Sequence, residues 1–210
     1  VPRQTIRLLV ASALLAAAGP APAQDAAPGA IEDPRAAKFS DVERGFFVGF
    51  QAGYLSLLKT PAHDPAAFPY AVGGGGRSGG VDIQLTCGYD LTPRLALSLF
   101  AEGSSQRASA SYGAFDVLAG GLDLRWAFYG QKDRNGWERF FASVHLRGGL
   151  LLSHPKGLFG ATDTLVGGGV GAEYFTQLRH FSVGLELDGV YVVGARAPGF
   201  ALTPTVRYTF

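Results

Sequence analysis

Between Gly45 and Phe210 an apolar side chain recurs at nearly every second position, and the pattern restarts eight times. The first run sets Phe46, Val48, Phe50, Ala52 and Tyr54 against Phe47, Gly49, Gln51, Gly53 and Leu55. The second sets Val81, Ile83, Leu85, Cys87 and Tyr89 against Asp82, Gln84, Thr86, Gly88 and Asp90. Further runs fall at 95–102, 117–126, 140–150, 166–174 and 181–191, and the eighth carries Phe200, Leu202, Pro204, Val206, Tyr208 and Phe210. A period of two puts alternate side chains on opposite faces of a strand. Eight runs of roughly ten residues, an even number, predict an all-β fold, an eight-stranded antiparallel transmembrane β-barrel over residues 45–210.

Alternation alone does not say which face is outside, because a soluble eight-stranded barrel with a ligand cavity alternates inside out. Three features favour lipid outside. The polar face is mostly Gly, Ser, Ala and Thr. The four lysines (Lys38, Lys59, Lys132, Lys156) fall in the expected linker, loops or turns, although soluble sheets use Lys to blunt their edges. Aromatic residues gather where strands should end (Phe46, Tyr54, Tyr89, Trp126, Phe128, Phe140, Tyr174, Phe181, Tyr191, Tyr208 and Phe210), as an interfacial girdle requires.

The connections point the same way. From a periplasmic N-terminus, the first, third, fifth and seventh face outward and are expected to be the longer ones. The first, 58–79, is long and rich in Gly and Pro, whereas "DLTPR" and "TQLRH" make short inner turns. The inner turn around "GQKDRNGWER" is longer than the pattern predicts.

Composition narrows the class. Charged residues make up 17% of the 210, against about 25% in soluble domains. The formal net charge of +1 gives no general attraction to nucleic acid. One cysteine, Cys87, allows no internal disulfide and no cysteine-based metal cluster. At the N-terminus, two arginines, the eleven-residue apolar run "LLVASALLAAA" and Ala21-Pro22-Ala23 read as a secretory signal peptide over residues 1–23. Residues 24–44 then form a periplasmic linker. The first residue is Val and Met is absent, so either a GTG start was translated literally or initial residues are missing.

The inward face carries the ionisable residues: Asp82, Glu102, Asp123, Glu173, Glu186 and Asp188, against Arg125, Arg147, Arg207 and His145. Eight strands leave a lumen just wide enough for side chains. Ionisable groups there are costly unless paired, so the expectation is an internal charge network that plugs and stiffens the barrel. A narrow channel is the alternative. A second alternative is catalytic, since "HFS" at 180–182 is similar to the His-x-Ser of outer-membrane lipid A deacylases. Val183 replaces the Asn that usually follows in that family, and the topology puts His180 at the periplasmic end, away from the outer leaflet. No catalytic residue and no cofactor are therefore assigned. His63 and His154 lie in outer loops without metal-ligand spacing, and "GGGG" at 73–76 lacks the Lys-Ser and helix of a phosphate loop. In the first outer loop, Phe68, Pro69 and Tyr70 beside the glycine run form a candidate docking patch.

Two resemblances extend this reading. Across residues 45–210 the pattern resembles small OmpA- or OmpX-type barrels of the Gram-negative cell envelope. The ending Val206, Tyr208 and Phe210 is similar to the C-terminal signal read by the barrel insertion machinery. More narrowly, "KFSDVERGFFVG", "YFTQLRHFSVGLELDG" and "FALTPTVRYTF" resemble the CglE outer-membrane proteins of myxobacterial adventurous gliding motility. That resemblance implies a part in a surface motility apparatus alongside other envelope proteins, with no catalytic residues to transfer. The expected partners are outer-membrane lipids, the insertion machinery and other envelope or motility proteins, with no nucleic acid.

Overall fold

A computed structural model of the chain describes residues 44–59, 76–108, 114–133, 136–154, 159, 162–176, 178 and 180–210. The signal peptide, linker residues 24–43, His63 and the patch Phe68, Pro69 and Tyr70 lie outside the described residues. The chain is an eight-stranded, closed antiparallel barrel: β1 (Phe46–Leu57), β2 (Ser78–Thr92), β3 (Leu95–Ala108), β4 (Ala114–Lys132), β5 (Glu138–His154), β6 (Asp163–Phe175), β7 (Phe181–Val192) and β8 (Ala197–Thr209). Each strand pairs with its neighbour in sequence. β1 closes against β8 from Phe47↔Thr209 to Leu57↔Gly199, so among the described residues no strand edge is left unpaired.

Alternation assigns the two faces. Leu146, Leu150, Val81, Leu85, Leu99 and Leu118 point out and are more than half exposed. In water such a surface would forfeit roughly 1.5–3 kcal/mol per side chain, whereas lipid accepts it. The exposed rings Phe46, Tyr89, Trp126, Phe128, Tyr174, Tyr208 and Phe210 ring one end of the barrel. This is the end with the β2–β3, β4–β5 and β6–β7 turns, periplasmic on the bacterial pattern.

The strands run from 12 to 19 residues, longer than the roughly ten that a tilted strand needs to cross the apolar layer. This excess accounts for the long inner connection expected around "GQKDRNGWER". β4 continues to Lys132 and β5 starts at Glu138, so half of that stretch is strand. One lysine therefore lies in a strand after all, at its last position. Register shifts between Ala127 and Tyr129 and between Gln131 and Lys132 let both Phe128 and Tyr129 face outward. The turn is closed by Asp133, whose amide donates to the Trp137 carbonyl (2.7 Å) and whose carboxylate accepts from the Trp137 amide (3.1 Å). Gly136 supplies the positive φ of +85°.

The seventh connection departs from the expectation of long outer loops. It is a tight turn at 193–196, held by the Asp163 carboxylate, which accepts from the amides of Gly194 (2.7 Å) and Ala195 (2.8 Å). Three short-range carboxylate bonds, the third from the Thr164 amide at 2.7 Å, replace the length a loop would use. Arg196 takes a positive φ of 52° in this turn.

The lumen is filled in three layers. Toward the outer end Leu55, Leu57, Phe115, Val117, Leu151, Leu165, Val190 and Val192 form a buried apolar core, with the Phe159 ring set 6.0 Å from Phe115. Polar and charged side chains fill the middle. At the periplasmic end Phe47, Phe141 and Phe175 are buried, and Phe141 meets Phe175 edge-on at 5.6 Å. The inward alternation includes Leu55 but is mostly Gly, Ser, Ala and Thr, so the apolar outer layer emerges only where the structure gathers its scattered members.

Candidate functional site

The middle layer depends on β6. Its inward positions Gly167, Gly169 and Gly171 carry no side chain, and they stand between strands that carry large polar ones. Gly167 lies between Arg147 of β5 and Val190 of β7, Gly169 between His145 and Asp188, and Gly171 between Ser143 and Glu186. A Cβ on Gly171 would meet Glu186 Cγ at 3.1 Å and Ser143 Oγ at 3.2 Å. The bare strip lets side chains from β5 and β7, two strand spacings of about 4.8 Å apart, meet above β6.

What meets there is a set of ion pairs. His145 Nε2 is bonded to Asp188, and both side chains are only 2% exposed. Arg147 Nη1 donates to Gln84 Oε1 (2.9 Å) and Glu102 Oε2 (3.3 Å), and its guanidinium lies 5.8 Å from the Phe100 ring. Asp82 of β2 is buried on the same inward face, diagonally across the β2–β3 ladder from Glu102. Asp123 faces Arg147 across the β4–β5 ladder and is buried. Arg125 of β4 pairs with Glu186, whose other oxygen accepts from Gln51 Nε2 at 3.1 Å. Thr203 in turn donates to Gln51 Oε1 at 3.3 Å.

A second group lies nearer the periplasmic end. Glu173 is reached by Arg125 (3.6 Å) and Arg207 (3.9 Å) and accepts from Ser182 Oγ at 2.5 Å. Arg207 also donates to Asp90 Oδ2 at 2.5 Å and stacks on Phe47, 3.7 Å from the ring centre. Arg44, just before β1, bonds the Pro93 carbonyl and sits 5.2 Å from the Phe141 ring. Two lumen cavities beside these groups hold about 20 and about 30 Å³, room for a water molecule or two each.

The structure thus places Asp82, Glu102, Asp123, Arg125, His145, Arg147, Glu173, Glu186, Asp188 and Arg207 inside the barrel, in two linked groups rather than one. Sequence reasoning missed Gln51, Gln84, Ser182, Asp90 and Arg44 as members. The first four stand at inward positions of the same alternation, so the signal was present. Arg44 lies outside it and gave none. Of the insertion-signal residues, Tyr208 and Phe210 stack edge-on at 5.0 Å and Phe210 donates its amide to the Phe46 carbonyl (2.8 Å), while Val206 faces lipid.

The catalytic alternative has specific partners to account for. His180 Nδ1 is bonded to the Thr209 carbonyl (2.9 Å) and its ring stacks on Tyr208 at 5.5 Å. The Ser182 hydroxyl donates a hydrogen bond to Glu173, and the residue is 1% exposed. A nucleophile and base arrangement needs serine and imidazole bonded to each other with room for substrate. Here the imidazole holds the Thr209 carbonyl and the serine holds Glu173.

No protein-family model matches the sequence, and curated protein sequences give no match either. Solved structures do match. Neisserial surface protein A superposes with a TM-score of 0.59 at 16% identity, covering 79% of this chain and 97% of that one. The outer-membrane protein OprG of Pseudomonas aeruginosa gives 0.50 at 10%, covering 81% and 99%. The outer-membrane protein AlkL gives 0.49 at 11%, covering 89% and 96%. At such identities the likeness is one of fold. Together with the apolar exterior it defines the class, a small eight-stranded β-barrel of the bacterial outer membrane.

Proposed function

We propose that this barrel is a non-enzymatic structural and interaction component of the outer membrane. The reading rests on one observation, the filling of the lumen by apolar, charged and aromatic layers in succession. A barrel filled in this way works through its rims, its loops and its lipid face. Its partners on this reading are outer-membrane lipids, the insertion machinery during assembly and other envelope proteins. The finer assignment, to a surface gliding apparatus, rests only on the residue resemblance to the CglE proteins.

Deleting the gene in its native host and scoring single-cell surface gliding, alongside membrane fractionation, tests both levels. Lost gliding that the intact gene restores, with the protein in the outer membrane, supports the motility role. Normal gliding with the same localisation removes that role and leaves the structural barrel. A Ser182→Ala variant that altered lipid A acylation while remaining folded would overturn the non-enzymatic reading.

A further inference from the structure

The end of the barrel opposite the aromatic girdle carries more cations than acids. Among its described residues Lys59, Arg77, Arg107 and Arg196 are exposed. The acids described there are Asp116 and Asp163, and Asp163 is taken up by the β7–β8 turn.

Two of these cations stand side by side on the lipid-facing side. Arg107 is the last outward residue of β3 and lies across the ladder from Gly79 of β2. Arg77 comes two positions before Gly79, on the same outward alternation. Residues so related are diagonal neighbours, about 7–8 Å apart in a regular ladder, and like charges there repel. Neither arginine is held by a carboxylate among the described residues. Asp116 of β4, diagonal from Arg107 and directly across from His154, makes no ion pair with it. Gly79 is covered by a third polar group. The Tyr54 ring leans over it from β1, so that an added Cβ would collide with the hydroxyl and come within 2.7 Å of Cζ. That hydroxyl has no hydrogen-bond partner among the described residues.

The depth of this group in the membrane follows from the strand. Leu97 of β3 pairs with Tyr89 of the periplasmic girdle. Arg107 lies about ten residues further on, the length a tilted strand uses to cross the apolar layer. Between these levels the outward positions Ser105, Gly103 and Ala101 are small, and Val81, Ile83 and Leu85 stand directly across from them. Leu118 of β4 faces Gly103 from the other side. A shallow apolar trough therefore runs from Arg107 into the bilayer.

We propose that Arg77, Arg107 and the Tyr54 hydroxyl form a docking site for a phosphate of lipopolysaccharide, with an acyl chain laid in the trough below. The inference rests on the reading of this barrel as an outer-membrane interaction component and names one of its lipid partners. A phosphate accepts from both guanidiniums and from the phenol, and its charge offsets the repulsion between the arginines. The fold puts the site at the outer leaflet, where phosphorylated lipid A is the abundant anion.

The test uses the full mature protein folded in detergent, with folding checked by heat-modifiable migration on gels. Native mass spectrometry follows binding of purified bis-phosphorylated lipid A, the same lipid A stripped of phosphate, and phosphatidylglycerol. The expected result is one tightly held lipid A per chain, with both other lipids clearly weaker. Arg77→Gln with Arg107→Gln lowers the lipid A affinity about 25-fold, roughly a factor of five per cation at an anionic membrane surface. Tyr54→Phe, which keeps the ring, lowers it by a smaller factor. Arg94→Gln with Lys132→Gln removes the same charge from exposed positions at the periplasmic end and leaves the affinity unchanged. Equal affinity for the stripped lipid or for phosphatidylglycerol, or equal losses in the two double variants, overturns the site. Those results leave the structural barrel standing, whereas acyl chains cleaved from bound lipid A overturn the non-enzymatic reading and leave the site. Should a variant fail to fold, the comparison of lipids on the wild-type protein still decides it.

Discussion

Arg147 on β5 stands directly across from Gly167 on β6, and a methyl group at 167 would come within 3.3 Å of its guanidinium Nε and 2.8 Å of the Gly189 carbonyl. The glycine is the space that the arginine occupies. Gly167→Ala therefore forces backbone or guanidinium to shift, with an expected loss of about 1–3 kcal/mol as in other overpacked interiors. Urea unfolding in detergent, followed by tryptophan fluorescence, measures it. Gly148→Ala, on the same barrel but with its nearest neighbour at 4.0 Å, should change stability far less.

The Arg147–Glu102 pair is 3–4% exposed, so its removal should be strongly context-dependent. Arg147→Met alone leaves Glu102 beside Asp82 without its cation and should cost about 3–5 kcal/mol. Arg147→Met with Glu102→Gln removes both charges and should recover a large part of that loss. A double-mutant cycle on the unfolding free energies checks the coupling.

The tight β7–β8 turn makes two opposed predictions. Asp163→Ala leaves the Gly194, Ala195 and Thr164 amides without their charged acceptor and should cost about 1–3 kcal/mol. Arg196→Gly removes a side chain from a φ of 52° and should stabilise by about 1 kcal/mol. Thermal midpoints of the two variants should move in opposite directions.

Phe210 packs on Phe46 (5.6 Å) and Tyr208 (5.0 Å) at the seam where β1 meets β8. Phe210→Ala should slow barrel closure, seen as a reduced rate of appearance of the heat-modifiable folded band when the chain is refolded into lipid vesicles. Leu178→Ala, exposed in a turn away from that seam, should leave the rate unchanged.

The strand count and facing were legible because period-two patterning, the aromatic ends and the lysine distribution follow from the same lipid exterior. The network was legible as a list but not as a geometry. Nothing in the spacing of Glu186 and Asp188 says that His145 reaches them, because the contact passes over β6 and joins two strands, β5 and β7, that do not pair with each other. The clue lies in the glycines of "VGGGVGA", which are uninformative until they are placed between β5 and β7. The apolar outer layer also left a trace, in the stretches Leu150–Leu151–Leu152 and Val190–Tyr191–Val192–Val193, where alternation gives way to apolar residues on both faces. Strand lengths were underestimated because residues beyond the apolar layer need not alternate.

The central claim is that the filled lumen makes the protein a structural barrel rather than a conduit. Single-channel recording of the purified, folded protein in planar bilayers tests this most directly. The account predicts a bilayer without discrete conductance steps attributable to the protein, in wild type and in Glu102→Gln alike. Reproducible unit steps whose size or ion selectivity changes with Glu102→Gln would contradict it, because ions would then be passing through the charged layer.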